Sequence, residues 1–148
     1  MNQFIIFIII LFIAVLFSIP AEKERRRRLN KYWMRSCTGK KWKQQFPEVP
    51  KEEIRDFLEN FVFSFAFNSK KRLKFEPDDK VMEVYRALYQ KKWEADALEF
   101  EFLEGVLKKE YGLKLEEIWY DDMTLGQIFK LTRDVPNHAS VKGSRLRI

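Results

Sequence analysis

The most complete helical pattern in the chain lies at residues 96–112, where apolar side chains cover more than half of a helix circumference. At about 100° per residue these positions sweep roughly 220°, whereas a helix lying on a surface needs only about 100°. Asp96 and Glu99 form a capping-box pattern, and Gly112 suits the left-handed position that follows a helix. We therefore predict a central helix that contacts more than one neighbour, with Phe102 inside its buried arc.

Three shorter patterns predict further helices around it. An i, i+3, i+4, i+7 apolar stripe follows Pro50, and a short segment beginning near Lys80 has one apolar face. Thr124 and Gln127 form a second capping box. The sequence thus predicts an all-α fold with a small four-helix domain at residues 47–134.

The N-terminal segment has a different pattern. Residues 4–19 carry no charge and are apolar on every side, and Ser18 is their one weakly polar residue. As a helix, the segment from Met1 to Pro20 is about 30 Å long, which is enough for a hydrocarbon core. A cleavable signal peptide fits less well, because no basic residue precedes the apolar run and the residues around Pro20 form a poor cleavage site. We predict an N-terminal transmembrane helix at residues 1–21.

Four consecutive arginines, Arg25, Arg26, Arg27 and Arg28, follow this segment. Because basic residues are retained on the cytoplasmic side, they predict a single-pass cell-membrane protein with its N-terminus outside and its domain in the cytoplasm. The same side chains attract anionic lipid at about 1 kcal/mol each. Membrane lipid is therefore a predicted partner.

Charge is distributed unevenly along the 148 residues. Residues 22–43 contain ten basic and two acidic side chains, whereas residues 51–134 contain fifteen and nineteen. Cys37, the single cysteine, excludes an internal disulfide and fits a reducing compartment. We divide the chain into the anchor, a basic juxtamembrane segment at residues 22–46, the helical domain, and a disordered basic tail at residues 135–148.

The basic segment also contains Tyr32, Trp33 and Trp42. Aromatic and basic residues in alternation can bind single-stranded nucleic acid, so membrane-tethered nucleic-acid binding is one alternative function. Beside an apolar span the same composition is more often an aromatic belt at the membrane interface, and we favour that interpretation.

Side chains capable of catalysis are scarce. His138, the single histidine, lies in the predicted tail, and Cys37 lies in a basic turn. No HxxH, CxxC or HExxH spacing occurs, so we predict no catalytic residues, no metal site and no cofactor. An enzyme with an unrecognised site, which could use Cys37, is the other alternative.

The order of motifs after residue 51 resembles the acyl carrier protein fold. Asp96-Ala97-Leu98 begins an acidic helix, Tyr111-Gly112 ends it, and Thr124 begins a last helix, as in that family. The family's serine carries phosphopantetheine, but Ala97 occupies the matching position and has no oxygen to esterify. The resemblance implies a carrier-like scaffold without its prosthetic group. The whole chain also resembles a group of bacterial membrane proteins, which implies no particular activity.

In acyl carrier proteins the acidic second helix docks partners, and the resemblance places this role on Glu101 and Glu104. The alternative is a solvated helix face on which Glu104 pairs with Lys108 at i, i+4. The sequence therefore predicts a membrane-anchored binding or adaptor module for a protein partner whose identity is open.

Overall fold

A computed structural model of the protein describes residues 2–89 and 97–135, except the side chains of residues 2, 14–19 and 21. Within these residues all regular elements are helical, which confirms the predicted helical composition. The helices are α1 (Asn2–Trp33), α2 (Gly39–Gln45), α3 (Lys51–Ser64), α4 (Val81–Leu88), α5 (Leu98–Tyr111) and α6 (Leu125–Asp134), with 3₁₀ helices at Ser69–Lys74 and Leu115–Glu117.

The core is built around α3. Glu52 and Glu53 lie in its first turn, where carboxylates favour the helix dipole. Its apolar stripe is buried as predicted, and Phe61 packs edge-on against Phe75 with ring centroids 5.0 Å apart. The buried residues of α3 are Ile54, Phe57, Leu58, Phe61, Val62 and Ser64.

The end of α1 and all of α2 also contribute to this core. Tyr32 and Trp42 are fully buried, and the indole Nε1 of Trp42 donates a hydrogen bond of 2.9 Å to the carbonyl oxygen of Phe75. The predicted interfacial belt is therefore wrong for Tyr32 and Trp42. Neither ring is available to stack on a nucleotide base, because each packs against other core aromatics.

The transmembrane prediction is contradicted. Among the helices of residues 2–89 and 97–135, none combines the length and the apolar composition that crossing a membrane requires. The predicted N-terminal transmembrane helix, single-pass topology with its N-terminus outside, and cell-membrane localisation are therefore wrong.

The prediction that α5 contacts more than one neighbour is confirmed, because α5 packs against α3, α6 and the second 3₁₀ helix. The prediction that Phe102 lies in its buried arc is wrong, because Phe102 is 56% exposed and Leu98 is 46% exposed. The residues that α5 buries are Glu99, Leu103 and Leu107, which are spaced four apart and form a single stripe. A broad apolar arc identifies the positions of a helix that can be buried. Which of these positions are buried depends on where the neighbouring helices lie.

The residues just before α4 bind those at the start of α6, and these contacts join the two helices. Lys80 and Thr124 form an isolated antiparallel bridge, and Leu125 N–H donates to the Asp79 carbonyl over 2.9 Å. The predicted capping box of Thr124 and Gln127 is confirmed by reciprocal hydrogen bonds of 3.2 and 2.8 Å. The predicted linker at residues 90–95, the Asp96 cap and all but the first residue of the predicted tail lie outside the described residues.

Candidate functional site

The structure brings Glu101 and Glu104 together at the mouth of an open cavity of about 410 Å³. We call this cavity the α5 groove. Its walls come from α4, the first two turns of α5 and the segment around the second 3₁₀ helix. The residues used below are Met82, Ala97, Phe100, Glu101, Glu104, Glu116 and Trp119, all of which line it.

Aromatic packing fixes the floor of the α5 groove. The Phe100 ring lies edge-on between Tyr85 and Trp119, with centroid distances of 4.8 and 4.9 Å. The backbone N–H of Ala97 donates to the Tyr85 hydroxyl over 3.2 Å, which ties the start of α5 to α4. Aromatic pairs of this geometry favour a fixed arrangement, so the packing of these rings holds the apolar floor in place.

Ala97 itself adopts the left-handed conformation, with φ of 62°. A residue with a Cβ is uncommon in this region, and the cost is usually offset by surrounding contacts. Here the Tyr85 hydroxyl and the first turn of α5 hold the residue, because Phe100 N–H donates to the Ala97 carbonyl over 3.0 Å. Ala97 lies exposed on the groove wall.

Three carboxylates line the α5 groove, those of Glu101, Glu104 and Glu116, and no basic side chain of the described residues lines it with them. None of the three forms an ion pair with a described residue. The predicted ion pair between Glu104 and Lys108 is not formed, because no Glu104 oxygen lies within 4.0 Å of the Lys108 ammonium. Among the described residues the acidic face thus has no ion-pair partner, and it borders apolar surface.

Glu99 points the other way, into the protein. It is buried and accepts a hydrogen bond from the Tyr89 hydroxyl, while its second oxygen has no hydrogen-bond partner. This contact holds α5 against the end of α4. Glu99 therefore positions the helix and does not belong to the acidic lining of the α5 groove.

The four arginines of α1 make two kinds of contact. Arg25 and Arg26 donate hydrogen bonds to the Glu22 carboxylate over 2.9 and 2.8 Å. The bond from Arg26, and then that from Arg25, hold the pKa of Glu22 below its usual value. Arg27 lies 3.7 Å from Glu24. Arg28 instead reaches α4 and donates to the carbonyls of Ala87 and Leu88 over 3.0 and 3.4 Å. Basic groups commonly bind the free carbonyls at a helix C-terminus, so Arg28 joins α1 to α4.

A catalytic arrangement is not found in residues 2–89 and 97–135. Within these ranges no cluster of His, Cys, Asp or Glu is placed to hold a metal ion. Cys37 is an exposed free thiol, and His138 lies outside the described residues.

Sequence reasoning identified Glu101 and Glu104 but not Glu116, and it missed the apolar lining residues Met82, Phe100 and Trp119. These three residues come from α4, α5 and the segment after the second 3₁₀ helix, so no local spacing connects them. One signal was present: Trp119 follows Glu116 and Glu117 in a short polar turn, where a large aromatic residue commonly packs onto a neighbouring element.

No family model matches the chain, and neither a curated protein nor a solved structure matches it. The resemblance to acyl carrier proteins therefore stays a prediction.

Proposed function

We propose that this protein is a binding module that docks a basic, amphipathic segment of a partner protein in the α5 groove. The observation that carries the proposal is the combination of an apolar floor held by aromatic packing with three carboxylates that have no ion-pair partner among the described residues. Protein interfaces combine an apolar centre that supplies affinity with charged groups that select and orient the partner. A segment with lysine or arginine beside apolar side chains complements both features.

The exposed residues beside the α5 groove extend this surface. Phe102 and Leu98 lie on the same side of α5 as Glu101, and the adjacent Gly105 faces open space. Large exposed aromatic rings are enriched where proteins bind one another. Met82 adds a flexible, polarisable side chain that adapts to the shape of a partner.

We also propose that the scaffold is carrier-like but lacks the prosthetic group. Ala97 is exposed at the start of an acidic helix, yet a methyl group offers no oxygen for a phosphodiester. Incubation of the full chain with an active phosphopantetheinyl transferase and coenzyme A should leave its mass unchanged. A phosphopantetheine mass increase would refute this part of the proposal.

Fluorine NMR of the full chain labelled with 5-fluorotryptophan tests the docking proposal. The probe is a short helical peptide with lysines on one face and leucines on the other. Adding it should shift the Trp119 resonance, identified by its loss in Trp119→Phe, and leave that of the buried Trp42 in place. A Trp119 resonance that does not move at saturating peptide would contradict the proposal.

The double variant Glu101→Gln/Glu104→Gln should weaken the peptide about fivefold, because each exposed carboxylate contributes a modest attraction. The matched control is Glu48→Gln/Asp78→Asn, which removes the same charge from two exposed residues outside the groove. Equal losses in both variants would mean that only net charge attracts the peptide.

A further inference from the structure

A second cavity, of about 420 Å³, lies between α2 and α3 and has the opposite charge. We call it the α2–α3 cavity. Its basic lining is Lys40, Lys43, Lys51 and Arg55, and its remaining lining is Cys37, Gly39, Ile54 and Leu73. No carboxylate of the described residues lines it, which distinguishes it from the α5 groove.

Hydrogen bonds fix the walls of this cavity. The Thr38 hydroxyl lies 2.9 Å from the Leu73 carbonyl oxygen and 2.7 Å from that of Phe75, and Thr38 N–H also donates to Leu73 over 2.9 Å. The Lys43 ammonium donates to the carbonyls of Pro47 and Val49 over 2.6 and 2.7 Å. The turn before α2 and the connection after it are thus both held in place.

None of the four cations has an acidic partner in the described residues, and Lys43 donates only to backbone carbonyls there. Lys40, Lys51 and Arg55 are exposed and form no ion pair there. Two nearby cations outside the cavity lining are paired: Arg35 binds Asp79 in a two-bond contact, and Lys41 lies 2.7 Å from Glu76. The positive charge at the cavity is therefore available to a ligand, and three neighbouring cations favour an anion.

The wall between these cations is apolar. Ile54 is buried and Leu73 is half-buried, and both side chains face the cavity. Small-molecule sites of this size usually combine apolar walls with a few charged groups that fix orientation. We propose that the α2–α3 cavity binds a small amphiphile with an anionic head, either carboxylate or phosphate, and one short alkyl chain. The head contacts Lys40, Lys51 and Arg55, and the chain lies against Ile54 and Leu73.

Cys37 provides a direct test, because it lines the cavity and is the single cysteine of the chain. The experiment measures the rate at which N-ethylmaleimide, an uncharged reagent, alkylates the full chain. Decanoate and decyl phosphate, each kept below its micelle concentration, should slow alkylation in a saturable manner. Octanoate should need higher concentrations, by about fourfold for each methylene it lacks.

Two further probes separate head from chain. Decan-1-ol tests the chain without a charge, and inorganic phosphate tests the head without a chain. Each should protect Cys37 at least about tenfold more weakly than decyl phosphate. Protection by decanol equal to that by decanoate would overturn the anionic head, and protection by inorganic phosphate equal to that by decyl phosphate would overturn the apolar part.

The variant Lys40→Gln/Lys51→Gln/Arg55→Gln should raise the half-protecting decanoate concentration about tenfold. Its matched control, Lys70→Gln/Lys108→Gln/Lys130→Gln, removes three exposed cations elsewhere and should leave that concentration unchanged. If calorimetry detects decanoate binding but Cys37 is not protected, decanoate binds outside the α2–α3 cavity, for example on the exposed apolar part of α1. This result would also overturn the proposal. None of these outcomes depends on the α5 groove.

Discussion

The two faces of α5 differ in what covers them, although their sequences are similarly apolar. The inner face buries Leu103 and Leu107 against α3, whereas the outer face presents Phe102 and Leu98 to solvent beside Glu101. Apolar residues on the inner face stabilise the fold. Those on the outer face are exposed, and we interpret them as part of the proposed docking surface. Hydrophobicity alone does not distinguish a buried helix face from an exposed one.

Truncation on the inner face should have the largest effect. Leu103→Ala should lower the free energy of unfolding by about 2 to 5 kcal/mol, since it leaves a cavity beside α3. Phe102→Ala, one residue away, should cost less than about 1 kcal/mol because its ring is already largely in water. Urea unfolding of the full chain followed by circular dichroism measures both. A cost for Phe102→Ala equal to that for Leu103→Ala would show that the outer face is packed.

Alkaline pH should destabilise the protein partly through the inner face. Tyr111 packs near Phe57, and burial raises its pKa to about 12, an effect that the Asn60 hydrogen bond opposes. A raised folded-state pKa means that the contribution is complete below the unfolded value of about 10 and is lost as pH rises towards 12.

The unfolding free energy should therefore fall between these pH values, by at most about 1.4 kcal/mol per pH unit from this one group. The pKa of Tyr32 is also raised by burial, so the wild type alone does not isolate Tyr111. Urea midpoints of Tyr111→Phe across the same pH range supply the control. A fall of the same slope in Tyr111→Phe would exclude Tyr111 as a source.

Two glycines of α5 should respond to alanine in opposite directions. Gly112 ends the helix with φ of 66°, so Gly112→Ala should cost about 1 to 2 kcal/mol. Gly105 lies within the helix, and a Cβ there would meet no atom within 4 Å. Gly105→Ala should therefore stabilise the protein by about 0.5 to 1 kcal/mol. Thermal unfolding measures both changes, and a destabilising Gly105→Ala would indicate that the outer face is covered.

Changes to the acidic residues should have the smallest effect on stability. Glu101→Gln and Glu104→Gln should each change the unfolding free energy by less than about 0.5 kcal/mol, because neither side chain has an ion-pair partner among the described residues. Lys108→Gln should be equally neutral, since the predicted pair with Glu104 is not formed. Chemical unfolding would detect a stabilising network if Lys108→Gln and Glu104→Gln had coupled, non-additive costs.

Helix positions and caps were predictable because their causes are local. The stripe of α3, the capping box of Thr124 and Gln127, and the left-handed Gly112 each depend on residues a few positions apart. Burial was less predictable, because it depends on distant neighbours. Tyr32 lies in the core only because Phe75, far along the chain, packs against it with ring centroids 5.4 Å apart.

The candidate site was half predictable for the same reason. Glu101 and Glu104 stand out on one helix face, whereas Met82 and Trp119 reach the α5 groove from separate elements. The N-terminal prediction relied on the apolar composition and helix length of the N-terminal segment and on the arginines that follow it. Composition did not indicate that the same helix continues through the arginines to Trp33, or that Arg28 then binds the end of α4.

A charge-reversal titration tests docking in the α5 groove most directly. Wild type and Glu101→Lys/Glu104→Lys are each titrated with the lysine–leucine peptide and with a matched peptide in which glutamate replaces lysine, while fluorine NMR follows Trp119. We expect the variant to lose about tenfold or more in affinity for the lysine peptide and to gain affinity for the glutamate peptide. The Trp119 resonance should shift when wild type binds the lysine peptide and when the variant binds the glutamate peptide. Unchanged peptide preference in the variant would contradict the docking role of this face.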